Sequence, residues 1–184
     1  MVLTNYLLFF FPMKKTKQNK INPKKLVINP SLRFILLSIF IISILVFISS
    51  LNFIQQFLTA FTALSLHSIL NALGISVRLV EPIVLQLVHG SQMKFSIIPD
   101  CTGIYPAVVL CGFIFAFPAN SRKKTLGIFG AIAASFVMNY LRLVSLIALA
   151  QVSVRTFEIA HLIIWQSSFI ILVIAYFLWW LRWK

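Results

Sequence analysis

Residues 125–151 read TLGIFGAIAASFVMNYLRLVSLIALAQ, an apolar run broken by one permanent charge, Arg142. The run exceeds the about 20 residues that cross bilayer hydrocarbon, so it reads as a membrane-spanning helix. A guanidinium in such a span costs at least a few kcal/mol unless it faces protein, water or a partner, and it cannot shed its proton. Arg142 is therefore a functional-site candidate. Simple snorkelling suits it poorly, because nine mostly apolar residues follow it before the run ends.

Working outward, the whole 184-residue chain is 60% hydrophobic and carries three acidic side chains, Glu81, Asp100 and Glu158. That composition cannot give a water-facing surface, and the reading is an all-α, polytopic integral membrane bundle. Six of the sixteen Lys and Arg fall between residues 14 and 25, three at 122–124, and two at Arg182 and Lys184. In a soluble domain a net charge of +13 would suggest nucleic acid. Here the clusters flank apolar runs, as cytoplasmic loops against anionic membrane lipid do, and no nucleic-acid partner is expected.

Residues 34–53 form the clearest first span, followed by 103–117, 125–151 and 159–181. Residues 57–73 are apolar but contain Thr59, Thr62, Ser65, His67, Ser68 and Asn71, which weakens them as a span. Residues 76–99 change character, with Glu81, Pro82, His89, Gly90 and Lys94 interrupting short β-branched runs, and read as a small extramembrane hairpin or loop. Charge decides the topology. If 57–73 crossed, the basic loop at 122–124 would fall outside, against the positive-inside rule. The expectation is about four spans with both termini inside, an interfacial or re-entrant helix at 57–73, and 76–101 and 152–160 external. Residues 1–33 then form a basic cytoplasmic segment. Because residues 1–12 are apolar and precede the charges, the order is wrong for a signal peptide, and Met13 is an alternative start.

Under this topology three reactive side chains reach one level. Cys101 and His161 each begin a span at its external end, and Arg142 lies about 27 Å above Lys124 along its helix. Asp100 suits an N-cap, which would place Cys101 in a first helical turn, where backbone amides and Arg142 favour negative charge on sulfur. His161 can shuttle a proton and Arg142 can stabilise an oxyanion, so the set suffices for thioester chemistry. The blander reading makes cysteine a small apolar filler, which Cys111 keeps, and histidine an interfacial residue, which His67 and His89 keep. Cys101 and Cys111, about 15 Å apart on one helix, are separate thiols. Asn139 and Glu158, each three residues before a site residue, are candidate supports: Asn139 toward the guanidinium or substrate, Glu158 toward the imidazole. Tyr105 and Trp165 are candidate cleft residues, although interfacial aromatics are usually anchors. Two cysteines and three scattered histidines lack metal-ligand spacing, and neither a serine nucleophile elbow nor a phosphate loop is present, so no cofactor is expected.

The segment Asp100-Cys101-Thr102-Gly103-Ile104, the later Asn139-Tyr140-Leu141-Arg142, and His161 at the head of the last span resemble the motifs of the exosortase/archaeosortase family. The resemblance covers about residues 95–180 within a membrane domain of 34–184. It implies a membrane cysteine transpeptidase, with Cys101 as nucleophile, Arg142 as cationic stabiliser and His161 as acid/base. It also implies a protein substrate carrying a C-terminal sorting signal, and a site on the external or periplasmic side of the cell membrane. The chain is shorter than the larger exosortases and lacks their extra N-terminal spans. The rival class is a non-enzymatic transporter or assembly subunit, in which Arg142 binds an anion or a partner helix. The oligomeric state is not legible.

Overall fold

A stripe of small side chains along one helix sets how closely the others approach. The computed structural model describes residues 29–88, 94–151 and 153–183. The basic head, the Met13 alternative and His89 lie outside them. In chain order the elements are α1 Pro30–Ser49, α2 Asn52–Ala72, β1 Val77–Glu81, β2 Val84–Leu87, β3 Lys94–Ser96, a 3₁₀ turn Pro99–Cys101, α3 Ile104–Ala116, α4 Ser121–Ala150, α5 Val154–Ile159 and α6 Trp165–Arg182. A π-helical turn, Ala160–Ile164, joins the last two helices. The result is a helical membrane bundle. Among the described residues, α1, α2, α4 and the continuous Arg155–Arg182 helix are long and apolar enough to cross a membrane.

The exposed surface shows the solvent these helices are built for. On α1 the exposed residues include Phe40 and Phe47, whereas Ser38 is buried, the reverse of a water-soluble helix. Along α4, Gly127, Ala131, Ser135 and Asn139 recur every four residues on the buried face, a small-residue stripe that admits neighbouring backbones. A Cβ on Gly127 would strike the Trp180 indole of α6, and one on Gly112 of α3 would strike Ile42 of α1.

Two buried clusters lie at opposite ends of α4. One gathers Leu110, Ile114, Phe117, Ala131, Trp180 and Leu181, with Phe34 packed against it. Phe34 also meets the rings of Phe113, Phe117 and Phe177. There Trp180 Nε1 donates to the Lys123 carbonyl at 3.1 Å, and Lys123 Nζ donates to the Leu181 carbonyl at 3.3 Å. The start of α1, the end of α3, the start of α4 and the end of α6 thus share the end that holds Arg122, Lys123, Lys124 and Arg182.

The other cluster joins Ala63, Leu66 and Leu70 of α2 to the sheet and to Leu143 and Ile147 of α4. The polar residues that weaken 57–73 as a span sit in the expected helix. They fold into a 21-residue helix, with Thr59 and Thr62 on its buried stripe. That helix has the length to cross, but its packing holds it at the end of α4 away from the basic residues. Its outer face, including Phe53, Phe57, Phe61 and Leu64, is exposed and apolar.

The expected hairpin is a three-stranded antiparallel sheet, ordered β1-β2-β3, with Val77 opposite Leu87 and Val84 opposite Ser96. Leu85 and Leu87 alternate inward onto α2, and Ile97 continues that buried row toward the 3₁₀ turn. α3 lies within its expected 103–117, whereas the start of the last helix differs from the sequence reading. α3 has 13 residues, about 20 Å, and ends where Phe117 adopts the extended conformation required before Pro118. The last helix, expected from about 159, already begins at Val154, since no Gly or Pro interrupts the segment expected to be external. His161 consequently lies inside a helix, within the π turn.

Candidate active site

Cys101 closes the 3₁₀ turn, its N–H donating to the Ile98 carbonyl at 2.8 Å. Thr102, almost fully buried, doubles back: its N–H and its Oγ1 both donate to the Pro99 carbonyl, at 3.1 and 2.7 Å. Gly103 then turns the chain into α3 with φ of 76°, a left-handed conformation that favours glycine. Asp100 is therefore not the N-cap of α3. Gly103 holds that position without a side-chain cap, and Cys101 precedes the first turn rather than lying in it.

Glycine is needed here for a second reason. A Cβ at Gly103 would stand 2.8 Å from Asn139 Cβ and 3.2 Å from the Ser135 carbonyl oxygen. This close approach lets Asn139 Nδ2 donate to the Cys101 carbonyl at 2.7 Å. The proposed bond from Asn139 to the guanidinium is replaced by this one. Asn139 is fully buried, and its Oδ1 has no partner among the described residues.

One turn further along α4, Arg142 is 9% exposed. Its Nη1 donates to the Asp100 backbone carbonyl at 3.4 Å, and its Nη2 lies 3.5 Å from His161 Nδ1. Its plane approaches Phe169 of α6 at 5.5 Å from the ring centroid, and Nε is buried without a partner among the described residues. Among the described residues no carboxylate hydrogen-bonds this cation. Asp100 contributes its backbone oxygen instead. Since a guanidinium only donates, the contact to His161 assigns Nδ1 as acceptor and leaves the neutral ring's proton on Nε2.

The imidazole is oriented from below and from the side. It stacks on Phe157 at 5.7 Å with planes 4° apart, while Arg142 holds Nδ1. Glu158, the expected orienter, is exposed, and among the described residues no hydrogen bond joins it to the imidazole. Phe157 was not singled out from the sequence; its spacing of four before His161 on a continuous helix would have pointed to it. The π turn widens the backbone ladder at His161, a feature common at functional sites.

Cys101, Arg142 and His161 line one cavity of about 560 Å³ with Tyr105 of α3 and Phe169 of α6. The same three residues, with Ile98, also line a second cavity of about 360 Å³ beneath β3. Trp165 lines neither cavity. Cys111 is buried within α3 and also lines neither. His67 lies 3.1 Å from Asn71 Nδ2, whose Oδ1 accepts from the Val77 N–H, so it supports the joint between α2 and the sheet.

A polytopic helical membrane protein with a thiol, an imidazole and a buried guanidinium on one cavity wall is the class that fold and site define. Comparison with protein families makes it specific: the model of the transmembrane exosortase family (Exosortase_EpsH) matches residues 26–180. The chain belongs to that family. Neither a curated protein nor a solved structure gives a match. Membership suggests a peptidase or transpeptidase acting on a protein substrate.

Proposed function

We propose that this chain is a cysteine-type transpeptidase or peptidase that cleaves exported proteins near a C-terminal sorting signal. Residues 34–184 form the membrane domain, and the site faces the external or periplasmic side of the cell membrane, with residues 1–33 on the cytoplasmic side. The observation that carries this reading is Arg142: a cation nine-tenths buried, with no carboxylate bonded to it among the described residues, on the cavity wall that also carries Cys101 and His161. A buried charge left uncompensated by the protein favours negative charge arriving with, or developing on, a ligand.

The chemistry follows from those three groups. His161 accepts the Cys101 thiol proton at Nδ1, which Arg142 Nη2 releases as the guanidinium turns to the substrate, and Sγ attacks the scissile carbonyl carbon. The carbonyl π electrons move to oxygen, giving an oxyanion that Arg142 faces. As that tetrahedral species collapses, the C–N bond breaks and His161 returns the proton to the departing amine. A thioester on Cys101 remains. An acceptor amine or water then yields a proton to His161 and attacks the thioester carbon, releasing Sγ, which regains the proton. Asn139 holds the Cys101 carbonyl through this cycle, so the nucleophile's backbone does not drift with the substrate.

The test is to trap and identify the acyl group on Cys101 in native membranes. A hydroxylamine-sensitive adduct on Cys101, lost in Cys101→Ala and retained in Cys111→Ala, is expected. Normal processing by well-expressed Arg142→Ala and His161→Ala variants would instead favour the rival in which Arg142 binds an anion or a partner helix.

A further inference from the structure

The three site residues, together with Ile98, belong to the walls of both the larger cavity and the cavity beneath β3, and so stand as a partition where the two meet. A peptide bond placed at Cys101 Sγ sends its two halves in different directions, and two cavities meet at that point. Their walls differ. Below its rim the larger one runs between Val109 of α3 and Gln166, Phe169, Ile170, Val173 and Ile174 of α6. From His161 to Ile174 this is about 20 Å of helix, within a segment apolar enough to span. Ile170 and Ile174 line the cavity yet are 62% and 55% exposed, so it is open sideways toward lipid. The smaller cavity is lined by Lys94, Phe95 and Ser96 of β3, the last strand of the sheet.

We propose that the substrate is bound with fixed polarity across this partition. Because the exported body of the substrate lies outside and N-terminal to the scissile bond, the half left in the membrane is the C-terminal one; it lies as an apolar helix in the groove between α3 and α6, and the segment N-terminal to the scissile bond runs extended beneath β3. This rests on the cysteine-peptidase reading. Backbone hydrogen bonding decides which half goes where. At membrane depth an extended chain leaves its amides unpaired, so the occupant of the lateral groove must satisfy them internally, as a helix. The outer cavity offers what an extended chain needs, the end strand of a sheet. Entry is lateral, from the bilayer, past Ile170 and Ile174.

The experiment places the photoreactive residue p-benzoylphenylalanine at Ile174, at Ser96, or at Phe129, an exposed residue of α4 outside both cavities, in the full chain carrying Cys101→Ala. Native membranes are irradiated and the adduct peptides mapped. The expected result is one protein joined at both sites. The Ile174 adducts fall in its membrane-spanning segment, the Ser96 adducts fall immediately N-terminal to it, and both are absent from Phe129. The order of adducts, not capture itself, carries the result. Reversed order, lipid adducts alone at Ile174, the same adducts from Phe129, or no adducts at either cavity would overturn the proposal. Reversed order alongside a Cys101 thioester in the wild type overturns the polarity and leaves the chemistry standing. The expected order without any Cys101 thioester does the opposite.

Discussion

Replacing Gly103 with alanine strains the site in two separable ways. The left-handed backbone costs a residue with a Cβ about 1–2 kcal/mol. The added methyl must also displace Asn139, whose Cβ would be 2.8 Å away, and the Ser135 carbonyl at 3.2 Å. Overpacking of that kind costs about 1–3 kcal/mol, for a sum of about 2–5 kcal/mol. Gly74 supplies the control: its φ is 81°, but a Cβ there meets nothing within 4 Å, so Gly74→Ala bears the backbone cost alone. At about 2–4 °C per kcal/mol for a chain this long, Gly74→Ala should lower the melting temperature by about 2–8 °C and Gly103→Ala by about 4–20 °C. The assay is thermal denaturation in detergent, paired with the rate of Cys101 alkylation by iodoacetamide in a Cys111→Ala background. Only Gly103→Ala should change that rate, because only it moves the turn bonded to Asn139. Adding Asn139→Ala should not restore it, since the clashing Cβ remains. Equal effects of the two glycine substitutions on melting and on alkylation would refute the idea that close packing of α3 on α4 fixes the thiol.

Cys101→Ala should abolish processing at normal abundance while Cys111→Ala retains it, read by immunoblot of a matched substrate in membranes; the opposite pattern reassigns the nucleophile. Arg142→Ala should lower kcat by about 10²–10³-fold with little change in KM, the scale of losing an oxyanion donor. Arg142→Lys should fall between, because an ammonium restores charge without the planar fork that reaches both Asp100 and His161. A cysteine placed at Lys123 should be protected from membrane-impermeant maleimide in intact cells, and one at Thr102 should be modified after unfolding of the outer face. Labelling of the Lys123 position from outside would invert the proposed orientation.

Legibility in the sequence tracked how local the cause was. The depth of Arg142 follows from rise per residue, and its placement with Cys101 and His161 needed only span lengths and the grouping of basic residues. Partners were harder. Asn139 shares a helix face with Arg142, so spacing suggested the guanidinium; the close approach of Gly103, a tertiary fact, turns it to the Cys101 carbonyl instead. Glu158 was proposed by the same spacing logic, whereas an aromatic four residues away took that role for His161. In α2, Thr59 and Thr62 weakened the reading as a span because hydropathy averages over a helix and ignores which face they occupy. The sheet was visible as β-branched runs, but nothing local announced that its buried row would seat on α2.

The π turn at Ala160–Ile164 amounts to one extra residue wound into an otherwise regular helix. Deleting a single residue there would restore an unbroken α ladder and swing everything before it by about 100°. Phe157 would rotate away with whatever imidazole remained, while Phe169 and Val173 stayed where they are. The distance in sequence between Arg142 and His161 would hardly change, yet their meeting would be lost. Chain length in that stretch is thus as strict a requirement as residue identity, and a one-residue insertion or deletion there is a sharper probe of the site than most substitutions.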